Sequence, residues 1–306
     1  MIRANAAVIA FEKEEAVILV AGATGKVGSE VVQRLSAGGH RVRALVRDPV
    51  RASHIRRPGV DVVVGDLARP ESLDGPLSGV RRVFVATPAD PEQVTLQGNL
   101  VQACKRAGTP HIVKVSVAGG PDAATQIGRW HWTTEKQIEA SGLGFTMLRP
   151  NLFMQEMLRF AGSIASEGRF SLPCGAGEVS IVDARDVAAV AVRALTEDGH
   201  ERRIYDLTGP EPLSFDAMAD AISEATGRRV AYVHVPPEFA RKQMLADGVP
   251  RWLAEDMLVL FASIREGYGG GVSDTVPRVA GEKPRTFVEF ARDHAAVFRE
   301  GRPTLH

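Results

Sequence analysis

Three glycines spaced three apart, Gly22, Gly25 and Gly28, lie inside VILVAGATGKVGSEVVQRL. A buried apolar run precedes them and an amphipathic stretch follows. Binding a pyrophosphate demands this order. The chain has to turn tightly, its backbone has to approach the phosphates, and the helix has to pack closely on the strand. The first helical turn then offers unpaired N–H groups and partial positive charge to the anion. Thr24, Lys26 and Val27 fall in the same loop and first turn, and are assigned to the same ligand. A glycine turn with no ligand is the plainer alternative. A P-loop is excluded, because Gly25-Lys26 is followed by Val27 rather than Ser or Thr.

The second apolar run ends in Leu45-Val46-Arg47-Asp48-Pro49. An acidic residue at such a strand end grips the ribose hydroxyls of NAD, whereas an arginine accommodates the 2′-phosphate of NADP. Arg47 is read as the strand-end residue and Asp48, before Pro49, as a turn residue. The reading is therefore NADP, with NAD possible, and with Lys26 and Arg43 as cationic support. A solvated surface charge is the alternative for Arg47. Asp66-Leu67 follows the third strand, where the carboxylate either accepts from the adenine amino group or shapes the loop. Ala86-Thr87-Pro88 follows the fourth, at the carboxyl edge where cofactors lie in open α/β sheets. Thr87 either lines the nicotinamide side or caps the next helix.

These residues need a scaffold of alternating strands and helices. Strands are expected at Ala16–Ala21, Arg41–Arg47, Val60–Gly65, Arg81–Ala86, His111–Val117 and Phe145–Arg149. Several are almost continuously apolar, which suits strands covered on both faces. Helices are expected at Lys26–Ala37, Glu92–Ala107 and about Trp130 to Ala140. Parallel strands with right-handed crossovers give an α/β fold, a Rossmann-type doubly wound sheet. The expected division is an extension over 1–15 and a cofactor-binding domain over 16–150. Residues 179–207 return to the sheet, and a smaller, mostly helical substrate-binding part spans 151–178 and 208–306. In that part IVDARDVAAVAVRAL reads as a strand running into a helix, with Asp183 or Asp186 near its start. Arg203–Leu207 is a further strand. Helices are expected at Ser214–Thr226, Pro237–Asp247, Pro250–Glu266 and Pro284–Phe298, and Gly269–Gly271 as a flexible break.

Composition bounds the partners. Lys plus Arg is 37 and Asp plus Glu is 37, so the formal charge is zero. That balance argues against nucleic acid and against a polybasic membrane anchor. No apolar run is long enough to span a bilayer. Two cysteines, Cys104 and Cys174, make no disulfide framework and suggest a reducing, cytoplasmic setting. The expected partner is a small-molecule substrate, and the chain a monomer or homodimer.

With GATGKVG, LVRDP, GDL, ATP, TMLRPNLF and VDARDVA in this order, and PRTFVEFARDHAAVF near the end, the chain resembles the NmrA-like group of atypical short-chain dehydrogenases/reductases. The resemblance spans roughly residues 16–298. It implies NADP binding and, among several options, reduction of quinones, aryl ethers or dyes. The group also includes NADP-sensing regulators without catalysis, and a non-redox acid/base use of the fold is a further alternative.

Ordinary short-chain reductases pair Tyr with Lys four residues on, so that the tyrosine can protonate a reduced carbonyl. Here Tyr205, Tyr232 and Tyr268 are followed at that distance by Gly209, Pro236 and Val272. Counting back from SGLGFTMLRP, His131 holds the lysine position and Ile127 the tyrosine position. Lys136 is out of register. In relatives resembling plant aryl-ether reductases a lysine stands at this place, and in those resembling bacterial quinone reductases a histidine. His131 is therefore the candidate for proton handling, near a helix start at the cleft edge, with Glu135 one turn on to orient it. A histidine that only shapes the pocket is the alternative. Ser116 at the end of the fifth strand is either a second catalytic candidate, in reach of substrate or cofactor, or simply a polar strand-end residue. Pro150, Asn151, Leu152 and Phe153 are expected to border the nicotinamide. Trp130, Trp132, Phe153, Met154 and Met157 form either a wall for a flat substrate or core between the two parts. No metal is expected, since His131 and Glu135 lack a third ligand.

Overall fold

A computed structural model of the chain describes residues 16–50 and 52–301; the expected extension over 1–15 lies outside them. The first part runs β1 (Val17–Ala21), α1 (Lys26–Ala37), β2 (Val42–Val46), β3 (Val60–Val64), α2 (Asp74–Leu77), β4 (Val80–Val85), α3 (Gln93–Ala107), β5 (His111–Val115), α4 (Gln126–Ala140) and β6 (Gly144–Pro150). A 3-10 segment, Met154–Phe160, then leads into α5 (Ala161–Glu167), β7 (Arg169–Leu172) and β8 (Glu178–Val179). α6 (Ala184–Thr196) and β9 (Arg203–Leu207) follow. The chain closes with β10 (Leu213–Ser214), α7 (Phe215–Thr226), β11 (Ala231–His234), α8 (Pro237–Ala246), α9 (Arg251–Arg265), α10 (Phe287–Asp293) and α11 (Ala295–Glu300).

Seven strands form one parallel sheet in the order β3-β2-β1-β4-β5-β6-β9. The order reverses between β1 and β4, the switch point at which such sheets take their ligands. The apolar continuity of the strands is explained by cover on both faces. Val20, Phe84, Val113 and Leu148 pack with α1 and α6 on one side. Leu19, Val85, Ile112 and Met147 pack with α3 and α4 on the other. A separate apolar cluster, with Met154, Phe170, Phe215 and Phe290, holds the C-terminal part.

Several expectations are corrected. Of residues 179–207 only β9 joins the main sheet. β8 pairs instead with β10 in an antiparallel ribbon, and Val182 makes a lone bridge to Phe153. Asp183 caps α6 by accepting from Arg185 N, while Asp186 is buried and takes the guanidinium and backbone N–H of Arg285. α4 starts four residues before the expected point, because Thr125 caps it and the Asp256 carboxylate accepts from Gln126 N and Ile127 N. The helix expected over Pro284–Phe298 breaks at His294 into α10 and α11. The Gly269–Gly271 loop is strapped down rather than a loose break. Gly269 O accepts from Ser180 N at 2.9 Å and Asn151 Nδ2 at 2.7 Å, and Ser273 Oγ donates to Asp206 O at 2.7 Å.

Among the described residues no helix is long and apolar enough to cross a membrane. Both cysteines are free and buried, and burial pushes each thiol up to about 12.

Candidate functional site

The glycine loop is built by close approach. Gly22 has φ +88°, a left-handed conformation that side chains resist. A Cβ there would stand 1.8 Å from Ala86 O, so the loop lies directly against the end of β4. A Cβ on Gly28 would stand 2.0 Å from Gly22 O, which lets α1 seat tightly under the loop. Gly25 is the N-cap of α1; no side chain caps the helix and no acidic residue occupies its first turn. Its leading N–H groups are thus left for an anion. This bare cradle fits a dinucleotide's pyrophosphate.

The carboxyl ends of the neighbouring strands carry the other expected residues. Arg47 is exposed at the end of β2, and Asp48 beside it accepts from Val50 N as a turn residue. Asp66 Oδ1 accepts from Ala68 N, and Leu67 O accepts from Asn99 Nδ2 at 2.8 Å. Ala86 and Thr87 are half-buried and Pro88 exposed at the end of β4, with Thr87 Oγ1 accepting from Gln97 Nε2 at 2.7 Å. Ser116 is buried just past β5, and its hydroxyl has no hydrogen-bond partner among the described residues. Such an orphaned hydroxyl is unusual in a buried position and marks a place where a ligand group can pair. Pro150 ends β6, and Asn151 and Phe153 follow it. Both polar atoms of the Asn151 side chain are engaged within the protein, toward Gly269 O and Leu152 N.

Other assignments move. Arg43 sits near the start of β2 and donates to Pro76 O and Ser78 O. With Arg41, Arg81, Arg82, His111 and Glu201 it lines a cavity of about 780 Å³ at the amino-terminal edge of the sheet, across from the glycine loop. It gives the phosphates no support. Lys26 makes an ion pair with Glu156 of the C-terminal part. Met154 and Met157 are buried in the C-terminal core. Trp130 packs at a tilt against Trp252 of α9, with ring centroids 5.4 Å apart, and Trp132 takes Lys136 over its ring at 4.0 Å.

His131 is the sixth residue of α4 and only 6% exposed. Glu135 does not orient it. That carboxylate is fully buried and accepts both arms of Arg149, at 3.1 Å and 2.6 Å. The partner of His131 is Lys114 of β5, with Nζ 2.7 Å from Nδ1 and 3.1 Å from Val115 O. Lys114 is wholly buried. Burial pushes its ammonium down to about 7, with Glu135 opposing and Arg149 reinforcing the shift. Burial, and then the Lys114 charge, hold His131 well below the usual histidine range, so the ring is neutral at neutral pH. Residue order alone does not single out Lys114 or Arg149. The signal for Lys114 was a charge in the middle of HIVKV, a strand with both faces covered. For the Arg149–Glu135 pair there was none. Among the described residues no three His, Cys, Asp or Glu side chains are grouped to hold a metal ion.

The chain is similar in sequence and fold to known proteins. The NmrA-like family model matches residues 14–291. An NAD(P)H azoreductase of Xenophilus azovorans is 45% identical over 282 residues, covering 92% of this chain and 99% of the relative. A (4-alkanoyl-5-oxo-2,5-dihydrofuran-3-yl)methyl phosphate reductase of Streptomyces griseus is 37% identical, over 92% of this chain and 99% of its own. The crystal structure of Citrobacter sp. triphenylmethane reductase complexed with NADP(H) superposes with a TM-score of 0.82 at 28% identity, covering 91% and 99% of the two chains. With its glycine cradle at the sheet's switch point and this breadth of match, the chain belongs to the NmrA-like family.

Proposed function

We propose that the chain is an NADPH-dependent oxidoreductase that reduces a small conjugated, aromatic or quinoid molecule without a Tyr-x-x-x-Lys pair. The observation that carries this reading is the uncapped, acid-free start of α1 in a cradle closed by Gly22 and Gly28, at the edge that also holds Ser116. The relatives agree in kind: an azoreductase, a reductase of a 5-oxo-2,5-dihydrofuran and a dye reductase. When bound, NADPH supplies the hydride. Gly22, Thr24, Gly25, Val27 and Gly28 hold its pyrophosphate, with Lys26 beside it in its ion pair with Glu156, Arg47 holds its 2′-phosphate, and Asp66 and Leu67 border the adenine. Ala86, Thr87, Pro88, Pro150, Asn151 and Phe153 border the nicotinamide. Ser116 and His131 face the acceptor as hydrogen-bond donors. Azo and quinoid acceptors take hydride readily, and the proton that accompanies it comes from His131, which suits a site without a catalytic tyrosine. Two free, buried thiols suit a reducing, cytoplasmic setting.

Anaerobic mixing with NADPH and a panel of quinones, azo dyes and triphenylmethane dyes tests this. NADPH oxidation that scales with protein dose is the expected result. Tight NADPH binding with no turnover on any acceptor would replace it with a redox-sensing role. A residue-level test addresses the cofactor. Hydrogen bonds to charged groups contribute about 1.5–3 kcal/mol. Arg47→Ala is therefore expected to weaken NADPH binding by roughly 10- to 100-fold and NADH binding hardly at all. Equal losses for both cofactors, measured by fluorescence titration, would defeat the 2′-phosphate assignment.

A further inference from the structure

We propose that Lys114 is the positioning residue of this site. It fixes His131 in the tautomer that carries its proton on Nε2, and it resupplies the proton that His131 gives to the acceptor. The inference rests on the reductase reading above.

The geometry allows few alternatives. While Lys114 carries its proton, below about pH 7, its ammonium has no lone pair, so at 2.7 Å Nζ donates and His131 Nδ1 accepts. Nζ spends a second proton on Val115 O at 3.1 Å. A neutral imidazole that accepts at Nδ1 carries its hydrogen on Nε2. Nε2 makes no hydrogen bond among the described residues, and His131 as a residue is 6% exposed whereas Lys114 is fully buried. The reachable donor is therefore the histidine, with the lysine behind it.

The groups around the pair are few. α4 brings His131 and Glu135, and β6 brings Arg149, whose guanidinium is held by that same Glu135. β4 sets Val85 beside Lys114, and the buried polar groups of α3 are the amides of Gln93 and Gln97 and the thiol of Cys104, which burial keeps protonated. α6 packs on the opposite face of the sheet. No carboxylate pairs directly with Nζ, so the lysine releases its proton near neutral pH rather than holding it as a permanent ion.

The step balances. The acceptor takes a hydride from NADPH on one atom and the Nε2 proton of His131 on the conjugated partner atom. Nδ1 takes a proton from the Lys114 ammonium. The pair is left as a neutral amine beside the other neutral imidazole tautomer. Once product leaves, water protonates Nε2 and the Nδ1 proton returns to Lys114. One hydride and one proton are consumed per two-electron reduction.

Two measurements test the proposal. Lys114→Met removes an ammonium that is costly to bury, so the variant is expected to fold. Its kcat should fall about 100-fold, the scale of one general acid, with the KM for NADPH within about twofold. The wild-type kcat should decline as pH rises through about 7, and this limb should vanish in the variant. Imidazole nitrogen NMR reads the tautomer without turnover: Nε2–H alone in the wild type, a mixture in Lys114→Met. A wild-type His131 protonated on Nδ1 overturns the proposal. So does a Lys114→Met enzyme with unchanged kcat and an intact alkaline limb. A wild type with the Nε2–H tautomer but no turnover on any acceptor overturns the reductase reading and the resupply of protons, and leaves the positioning role standing.

Discussion

Gly22→Ala is expected to weaken NADPH binding about 100-fold and to lower Tm by roughly 5–15 °C. Two costs add. A side chain at φ +88° costs about 1–2 kcal/mol. A Cβ placed 1.8 Å from a backbone oxygen of β4 cannot be absorbed by a rotamer change, and overpacking of this kind costs about 1–3 kcal/mol more. The loop has to lift from Ala86, which carries the N–H groups of the first turn away from the phosphates. Gly39→Ala is the control. Gly39 has a similar φ, +80°, yet a Cβ there meets nothing within 4 Å. It should lose only the backbone contribution and bind NADPH like the wild type. Differential scanning calorimetry and cofactor titration of both variants decide the matter. Wild-type affinity in Gly22→Ala would show that the cradle is not the phosphate site.

Arg149→Met should be the most destabilising change among the polar residues, by about 3–5 kcal/mol. It leaves the Glu135 carboxylate fully buried without its two guanidinium donors. Adding Glu135→Leu should recover most of the loss, because the desolvated charge is then gone. Urea titration of the two single variants and the double variant measures this. A double variant no more stable than Arg149→Met would mean that the arginine acts through its contact with the Trp132 face, 5.6 Å away, rather than through the ion pair. The pair also sets the charge balance at Lys114, with opposite signs. Arg149 disfavours the ammonium and Glu135 favours it. Arg149→Met should therefore move the alkaline limb of kcat to higher pH, and Glu135→Gln to lower pH. A shift in the same direction for both would contradict the electrostatic account.

What could be read from residue order was local. Lys26–Ala37 is helical over the expected residues, because a glycine N-cap, a stripe of Val27, Val31, Val32 and Leu35, and Gly38 after the last turn all act within a few positions. The strands are found where the β-branched runs stand; β1, β2, β3 and β5 are shorter by one or two residues, β4 is shifted one residue earlier, and β6 is one residue longer at each end. Arg43 was misplaced through neglect of distance. Four residues of strand separate it from Arg47, about 13 Å, so the two guanidiniums stand toward opposite edges of the sheet. The Gly269–Gly271 loop misled for another reason. Glycines suggest freedom, but its anchors, Asn151 and Ser180, lie about a hundred residues earlier. Glu135 and Arg149 likewise meet only because α4 packs over β6. His131 was visible from its register against the usual catalytic lysine, whereas its actual partner sits on a different element. Pairings across elements follow from packing, and a single sequence shows packing only through its apolar periodicity.

The position of β9 has a consequence for engineering. The strand that completes the sheet is made after the chain has already visited α5, β7 and β8. The C-terminal part is therefore threaded through the cofactor domain instead of following it. A chain cut after Pro150 would leave β6 with a bare edge, the kind of edge that recruits other strands. The C-terminal part cannot be exchanged with a relative as one contiguous cassette. A chimera has to be joined on both sides of the α6–β9 return, and the strapped glycine loop has to come from the same parent as Asn151 and Ser180.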